Sequence, residues 1–217
     1  MRLSKQLKEI RDRVAASLPP EQLRALQQMV ADLKARGIEH SALRAGTPLP
    51  RFALPNALGK TVDVSEALAR GPLVLSFYRG GWCPYCSAEL RALQLALPGL
   101  KALGASLIAV SPDLPDHSLS TAEKHALDFD ILSDAGNMVA RRFGLVFGVP
   151  DDVRQLYLGS GLDLAARAGG TAWELPIPAT YLVGRNGLVR LAFVDADYTQ
   201  RLDPAEILDA LKQDAAA

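Results

Sequence analysis

A short apolar run, Leu73-Val74-Leu75-Ser76-Phe77-Tyr78, passes through Gly80-Gly81 into a helical stripe at Leu90, Leu93 and Leu97. A run without alternating polar residues reads as a strand covered on both faces, and such cover comes from helices layered on either side of a sheet. The chain is thereby committed to an α/β architecture. Further alternation supports this. A strand over residues 106–110, a helix over 116–126, a short strand over 130–132 and a helix over 135–143 follow in turn. Residues 180–183 and 189–194 flank Arg185-Asn186-Gly187 and form a hairpin, and Asp203-Pro204 opens a last helix through Leu211. The hairpin makes the sheet mixed.

Upstream, Leu3, Leu7, Ile10 and Val14 form one helical face that stops before Pro19-Pro20. Leu23, Leu26, Val30 and Leu33 form a second, which ends near Gly37. Residues 1–45 thus read as a two-helix extension that packs on the core or on a second subunit, as in a homodimer. Residues 46–217 read as the main domain, entered through the Gly46, Pro48 and Pro50 linker. Residues 150–175 are glycine-rich, but Leu164 stands where a nucleotide loop needs its third glycine, so the segment reads as a surface excursion.

The 217 residues carry 49% apolar and 22% charged side chains, which suits a soluble globular chain. Lys plus Arg equals Asp plus Glu at 24 each, so no basic footprint points to nucleic acid or an anionic membrane. The first 18 residues are too charged for a signal peptide, and two cysteines cannot make the disulfide framework of small secreted domains. Cytoplasmic residence is the expectation.

Those two cysteines, Cys83 and Cys86, stand in Tyr78-Arg79-Gly80-Gly81-Trp82-Cys83-Pro84-Tyr85-Cys86, where the buried strand hands over to a helix. Unpaired amides at a helix start stabilise a thiolate, and Arg79 adds a positive charge. Lowering a thiol from about 8.5 to about 6 raises its ionised fraction at neutral pH roughly 30-fold, worth about 2 kcal/mol. Two intervening residues let the sulfurs meet on one turn and form a reversible disulfide. Zinc is disfavoured, because the three histidines (His40, His117, His125) lack ligand spacing from the pair. Ser87 after Cys86 excludes covalent haem. Neither a metal nor an organic cofactor is expected. Far downstream, Pro178, if cis, would turn the backbone before Thr180 toward the thiols.

This pattern resembles the peroxiredoxins of the alkyl hydroperoxide reductase and thiol-specific antioxidant family, in the thioredoxin-like superfamily, over about residues 46–212. That family carries Pro-x-x-x-Thr-x-x-Cys after a Phe-Tyr strand. The resemblance puts Cys86 on the peroxide-reacting position and Glu89 on an acidic one, with Cys83 replacing the threonine and Arg79 the proline. Trp82-Cys83-Pro84-Tyr85-Cys86 is also similar to the thioredoxin and glutaredoxin motif, in which Cys83 would be the nucleophile and Cys86 the resolving thiol. Pro178 resembles the cis-proline of that group and stands where many peroxiredoxins carry a substrate-orienting arginine.

The resemblance implies a thioredoxin-like fold and a thiol peroxidase with Cys86, Cys83 and Arg79 as catalytic residues. Tyr78, Trp82, Glu89, Pro178 and Thr180 would contact substrate. The substrate would be a hydroperoxide, and a thioredoxin- or glutaredoxin-type reductant would recycle the disulfide. The competing expectation is a protein dithiol–disulfide oxidoreductase, and a third is a non-catalytic binding module on a redox scaffold.

Overall fold

The computed structural model describes residues 2–216. Helices α1 (Leu3–Ser17), α2 (Pro20–Ala35) and the single-turn α3 (Ile38–Ser41) lead into strands β1 (Ala53–Pro55) and β2 (Thr61–Asp63), then α4 (Val64–Arg70). Next come β3 (Leu73–Phe77), α5 (Pro84–Ala102), β4 (Ser106–Ser111), α6 (Pro115–His125) and β5 (Asp130–Ser133). The rest is α7 (Met138–Arg142), β6 (Val146–Gly148), α8 (Asp151–Gly159), α9 (Leu164–Arg167), β7 (Glu174–Pro176), β8 (Ala179–Val183), β9 (Val189–Val194) and α10 (Pro204–Ala216).

The central sheet runs β5-β4-β3-β8-β9. Strand β3 pairs in parallel with β4 and antiparallel with β8, which places it in the middle with no free edge. Its side chains divide by the period of two that strands impose. Leu73, Leu75 and Phe77 join Phe143 and Tyr181 in one core cluster, while Val74 joins Leu97, Leu100 and Leu182 in another on the opposite face. This double burial explains why the run carries no polar alternation.

Helix α5 continues beyond Leu97, through Pro98, to Ala102. Proline inside a helix typically costs about 3 kcal/mol. Leu93, Leu97 and Leu100 are all buried against the sheet, and that apolar seam holds the last turn in place.

The segment 150–175 corrects its sequence reading. It contains α8, α9 and the start of β7, and Val153, Tyr157, Leu164 and Leu175 are buried with Leu26, Met29 and Leu33 of α2. Val153 and Tyr157 lie four residues apart on one helical face, a spacing that the surrounding glycines obscure. Helix α1 lies along α5, and Leu3 and Leu7 share a cluster with Tyr78, Cys83 and Cys86. Among the described residues, no helix is long and apolar enough to cross a membrane.

Leu7 is 3% exposed beside the sulfur-bearing turn. Leu7→Ala should therefore cost about 2–5 kcal/mol in urea unfolding. A loss below about 0.5 kcal/mol, the ordinary surface range, would mean that α1 is not docked there.

Candidate active site

Strand β3 ends at Phe77, and the chain turns through Gly80 and Gly81 before α5 begins. Gly80 has φ of +138°, and a Cβ on Gly81 would lie 2.0 Å from Thr121 Oγ1. Only glycine lets the loop pass this close to α6. Buried Asp113 fixes the loop from below: its Oδ2 accepts the Gly81 N–H at 2.9 Å, and its carboxylate takes a two-pronged contact from Arg167 at 3.0 and 3.1 Å. Cys83 is the residue preceding α5, with Pro84 in the first turn, and its carbonyl accepts the Ser87 N–H at 3.0 Å. Cys86 lies in that same turn. Both cysteines are free and buried, at 1% and 0% exposure.

Two guanidiniums flank the sulfurs. Arg79, 1% exposed, donates to the Tyr157 hydroxyl at 2.5 Å, and its charge lies 4.1 Å from the Tyr198 ring centroid and 4.9 Å from that of Trp82. Three aromatic faces, Tyr157 included, thus form a cage around it. Arg201 lies on the other side. It donates to Cys86 Sγ at 3.3 Å and to Glu89 Oε2 at 2.5 Å, and the carbonyls of Tyr198 and Gln200 also accept from it. Glu89 Oε1 accepts the Thr180 hydroxyl at 3.3 Å.

Guanidinium charge favours the ionised form at both thiols, yet the two end on opposite sides of the ordinary thiol range. Burial opposes ionisation of Cys83, but the hydrogen bond from Cys86 and the charges of Arg79 and Arg201 outweigh it and hold the thiol down at about 6. Burial, the same hydrogen bond and the neighbouring Cys83 charge push Cys86 well above the ordinary thiol range. Burial raises Glu89 to about 7, against the downward pull of Arg201.

A cavity of about 460 Å³ opens beside Cys83. Val14 of α1, Leu18 just after that helix, Leu26 of α2, and Leu156 and Leu162 from the α8 region make it largely apolar, and Arg79, Trp82 and Cys83 complete its wall. Of the residues expected to contact substrate, Trp82 lines this space. Tyr78, Glu89, Pro178 and Thr180 are buried behind it. No peptide bond among the described residues is cis, so the turn expected of a cis Pro178 is not formed, and the proline instead joins β7 to β8. Among the described residues, no group of three His, Cys, Asp or Glu side chains could hold a metal ion.

Sequence reasoning missed Arg201, Tyr157 and Asp113. Tyr157 carried a usable signal in its helical spacing from Val153. Arg201 follows an Asp-x-Thr turn, where Asp197 accepts from the Thr199 amide at 3.0 Å and hydroxyl at 2.7 Å, a pattern of an ordered loop.

The AhpC/TSA family profile matches residues 45–192. Peroxiredoxin Bcp of Escherichia coli (strain K12) is 32% identical over 103 residues, covering 48% of this chain and 65% of that protein. The chain thus spans just under two thirds of that relative's length. Chloroplastic peroxiredoxin Q of Sedum lineare is 28% identical over 179 residues, covering 82% and 81% of the two chains. The crystal structure of peroxidoxin BcpB from Mycobacterium tuberculosis superposes with a TM-score of 0.62 at 22% identity, over 79% of this chain and 97% of that one. The mixed sheet with flanking helices is accordingly a thioredoxin-like fold.

The Glu89 shift has a measurable sign. Its folded value of about 7 lies above the unfolded 4.5, so between those pH values the folded chain keeps a proton that the unfolded chain has lost. Stability from this group therefore falls as pH climbs from about 4.5 to about 7. Glu89→Gln should remove that decline when urea unfolding of the two proteins is compared at pH 4.5, 5.5 and 6.5. An identical slope in both would assign the titration to another group.

Proposed function

The chain belongs to the AhpC/TSA family, and from that premise we propose that it is a thiol-dependent peroxidase whose Cys83 and Cys86 reduce a hydroperoxide and finish as a disulfide. The observation that carries this reading is the pairing of two thiols on one helical turn with two buried guanidiniums, at the wall of an apolar cavity. A thiol near 6 is mostly thiolate at neutral pH, the form that attacks peroxide. Guanidinium donors in a dry site also favour the charge that develops on the departing oxygen. In the family register, Cys86 stands on the attacking position and Cys83 replaces a threonine.

Attack converts one thiol to a sulfenic acid, and the other condenses with it to a disulfide. Their position on one turn allows this without unwinding α5. Trp82 is the aromatic contact for the substrate, and Arg79 and Arg201 supply positive charge. Glu89, Thr180, Tyr78 and Pro178 act from behind the sulfurs by holding Arg201, the helix start and strand β8. A thioredoxin- or glutaredoxin-type dithiol recycles the disulfide, in a reducing compartment such as the cytoplasm. Residues 1–45 are an extension whose first two helices wall the cavity of the domain formed by residues 46–217. At 1% exposure Cys83 suits a small oxidant better than a disulfide on a folded protein, which favours the peroxidase over the oxidoreductase alternative.

Stopped-flow mixing of the reduced protein with hydrogen peroxide and, separately, cumene hydroperoxide tests the proposal. The expected result is oxidation far faster than that of free cysteine, with the intact mass falling by two hydrogens and recovering after dithiothreitol. A rate equal to that of free cysteine for both oxidants would overturn it.

A further inference from the structure

Charge counting in the buried site distinguishes the two sulfurs. Arg201 has a carboxylate partner, with Glu89 Oε2 at 2.5 Å and both side chains at 2% exposure or less. Arg79 is sealed just as completely, but among the described residues no carboxylate pairs with it, and its Nε donor has no partner. The aromatic cage and the Tyr157 hydroxyl offset part of its desolvation without supplying negative charge. The surrounding tyrosines do not supply it either, since burial pushes Tyr78, Tyr157 and Tyr198 upward and keeps them protonated. A buried charge without a counter-charge is strongly disfavoured. In the reduced protein an anionic sulfur is the counter-charge the site itself offers, whether or not Glu89 holds its proton.

Cys83 is the sulfur that shares a cavity wall with Arg79, whereas Cys86 faces inward to Arg201 and does not line that space. We infer that Cys83 is the resident thiolate and the sulfur that attacks the peroxide, and that Cys86 resolves it, the reverse of the order in the family register. This inference rests on the peroxidase reading above. The Cys83 thiolate attacks the terminal oxygen of ROOH, and an S–O bond forms as the O–O bond breaks. Two electrons pass from sulfur to the peroxide. The departing RO⁻ takes a proton from water, giving ROH and hydroxide.

Cys83 is now a neutral sulfenic acid, and the negative charge that balanced Arg79 has left the protein. The site then favours a second thiolate, and Arg201 already touches Cys86 Sγ at 3.3 Å. Cys86 attacks the sulfenic sulfur, forming the S–S bond and breaking the S–O bond. Its proton leaves with the departing hydroxyl as water. The first oxidation thereby activates the second thiol, which Arg201 already contacts.

The test compares wild type, Cys83→Ser and Cys86→Ser at pH 7 with one equivalent of hydrogen peroxide or cumene hydroperoxide, with dimedone present to trap sulfenic acid. Cys86→Ser should oxidise within about tenfold of wild type and carry the adduct on Cys83. Cys83→Ser should be slower by at least roughly 30-fold, because a thiol at or above the ordinary value of about 8.5 is only a few per cent thiolate at pH 7. A fast Cys83→Ser with the adduct on Cys86 would overturn the assignment and leave the peroxidase reading intact. If wild type itself matches free cysteine, that reading falls instead.

A second measurement holds in either case and needs no variant. Limiting iodoacetamide on the reduced wild type at pH 7 should alkylate Cys83 first. Alkylation of Cys86 first would overturn the inference.

Discussion

The structure depends on one electrostatic arrangement: two guanidiniums enclosed beside two sulfurs, with a carboxylate, Glu89, on Arg201 alone of the two. In water these charges would cost little. Buried as they are, each needs a partner, and the partners available dictate protonation. Glu89 serves Arg201, so the sulfur next to Arg79 carries the remaining negative charge. The elements around the site converge on keeping this cluster dry. The loop from β3 to α5 delivers Arg79 and Cys83, α5 delivers Cys86 and Glu89, the loop after β9 delivers Arg201, and α8 brings the tyrosine that Arg79 bonds.

The enclosure explains features that would otherwise look unrelated. Leu3 and Leu7 pack against the cluster that holds the sulfurs, and Val14, Leu18 and Leu26 line the space in front of Cys83. Without these helices one wall of the site would be water, and the guanidiniums would act through a far higher dielectric. The Asp113–Arg167 pair restrains the loop before Cys83 in the same spirit: it contributes no atom to the reacting centre but holds the backbone that carries it.

Local signals made part of this legible in the sequence. The strand-to-helix handover, the two thiols on one turn and the hairpin after Pro178 follow from spacing within a few residues, and the family resemblance adds the acidic position at Glu89. The second guanidinium does not. Arg201 is 115 residues from Cys86, and the path between them passes through six strands of irregular spacing. Tyr157 was obscured by glycines that suggested a loop, although its helix buries a regular face against α2. Pro178 shows the opposite failure: the residue type suggested a particular peptide geometry, and the chain makes the same strand junction with a trans bond. Pro98 is a tolerated interior residue of α5, because Leu97 and Leu100 on either side of it are anchored in the core.

The 1% exposure of Cys83 bears differently on the two halves of a turnover. A hydroperoxide needs only the room that the 460 Å³ cavity provides. A reducing protein must bring its own sulfur into line with the finished disulfide, which requires the Trp82 loop or the α1–α2 wall to swing aside. For a peroxidase of the kind proposed, burial would then hinder return to the dithiol form more than oxidation. Sustained oxidant would gather such a protein in its spent form, and the ease with which that wall opens would select which donor resets it.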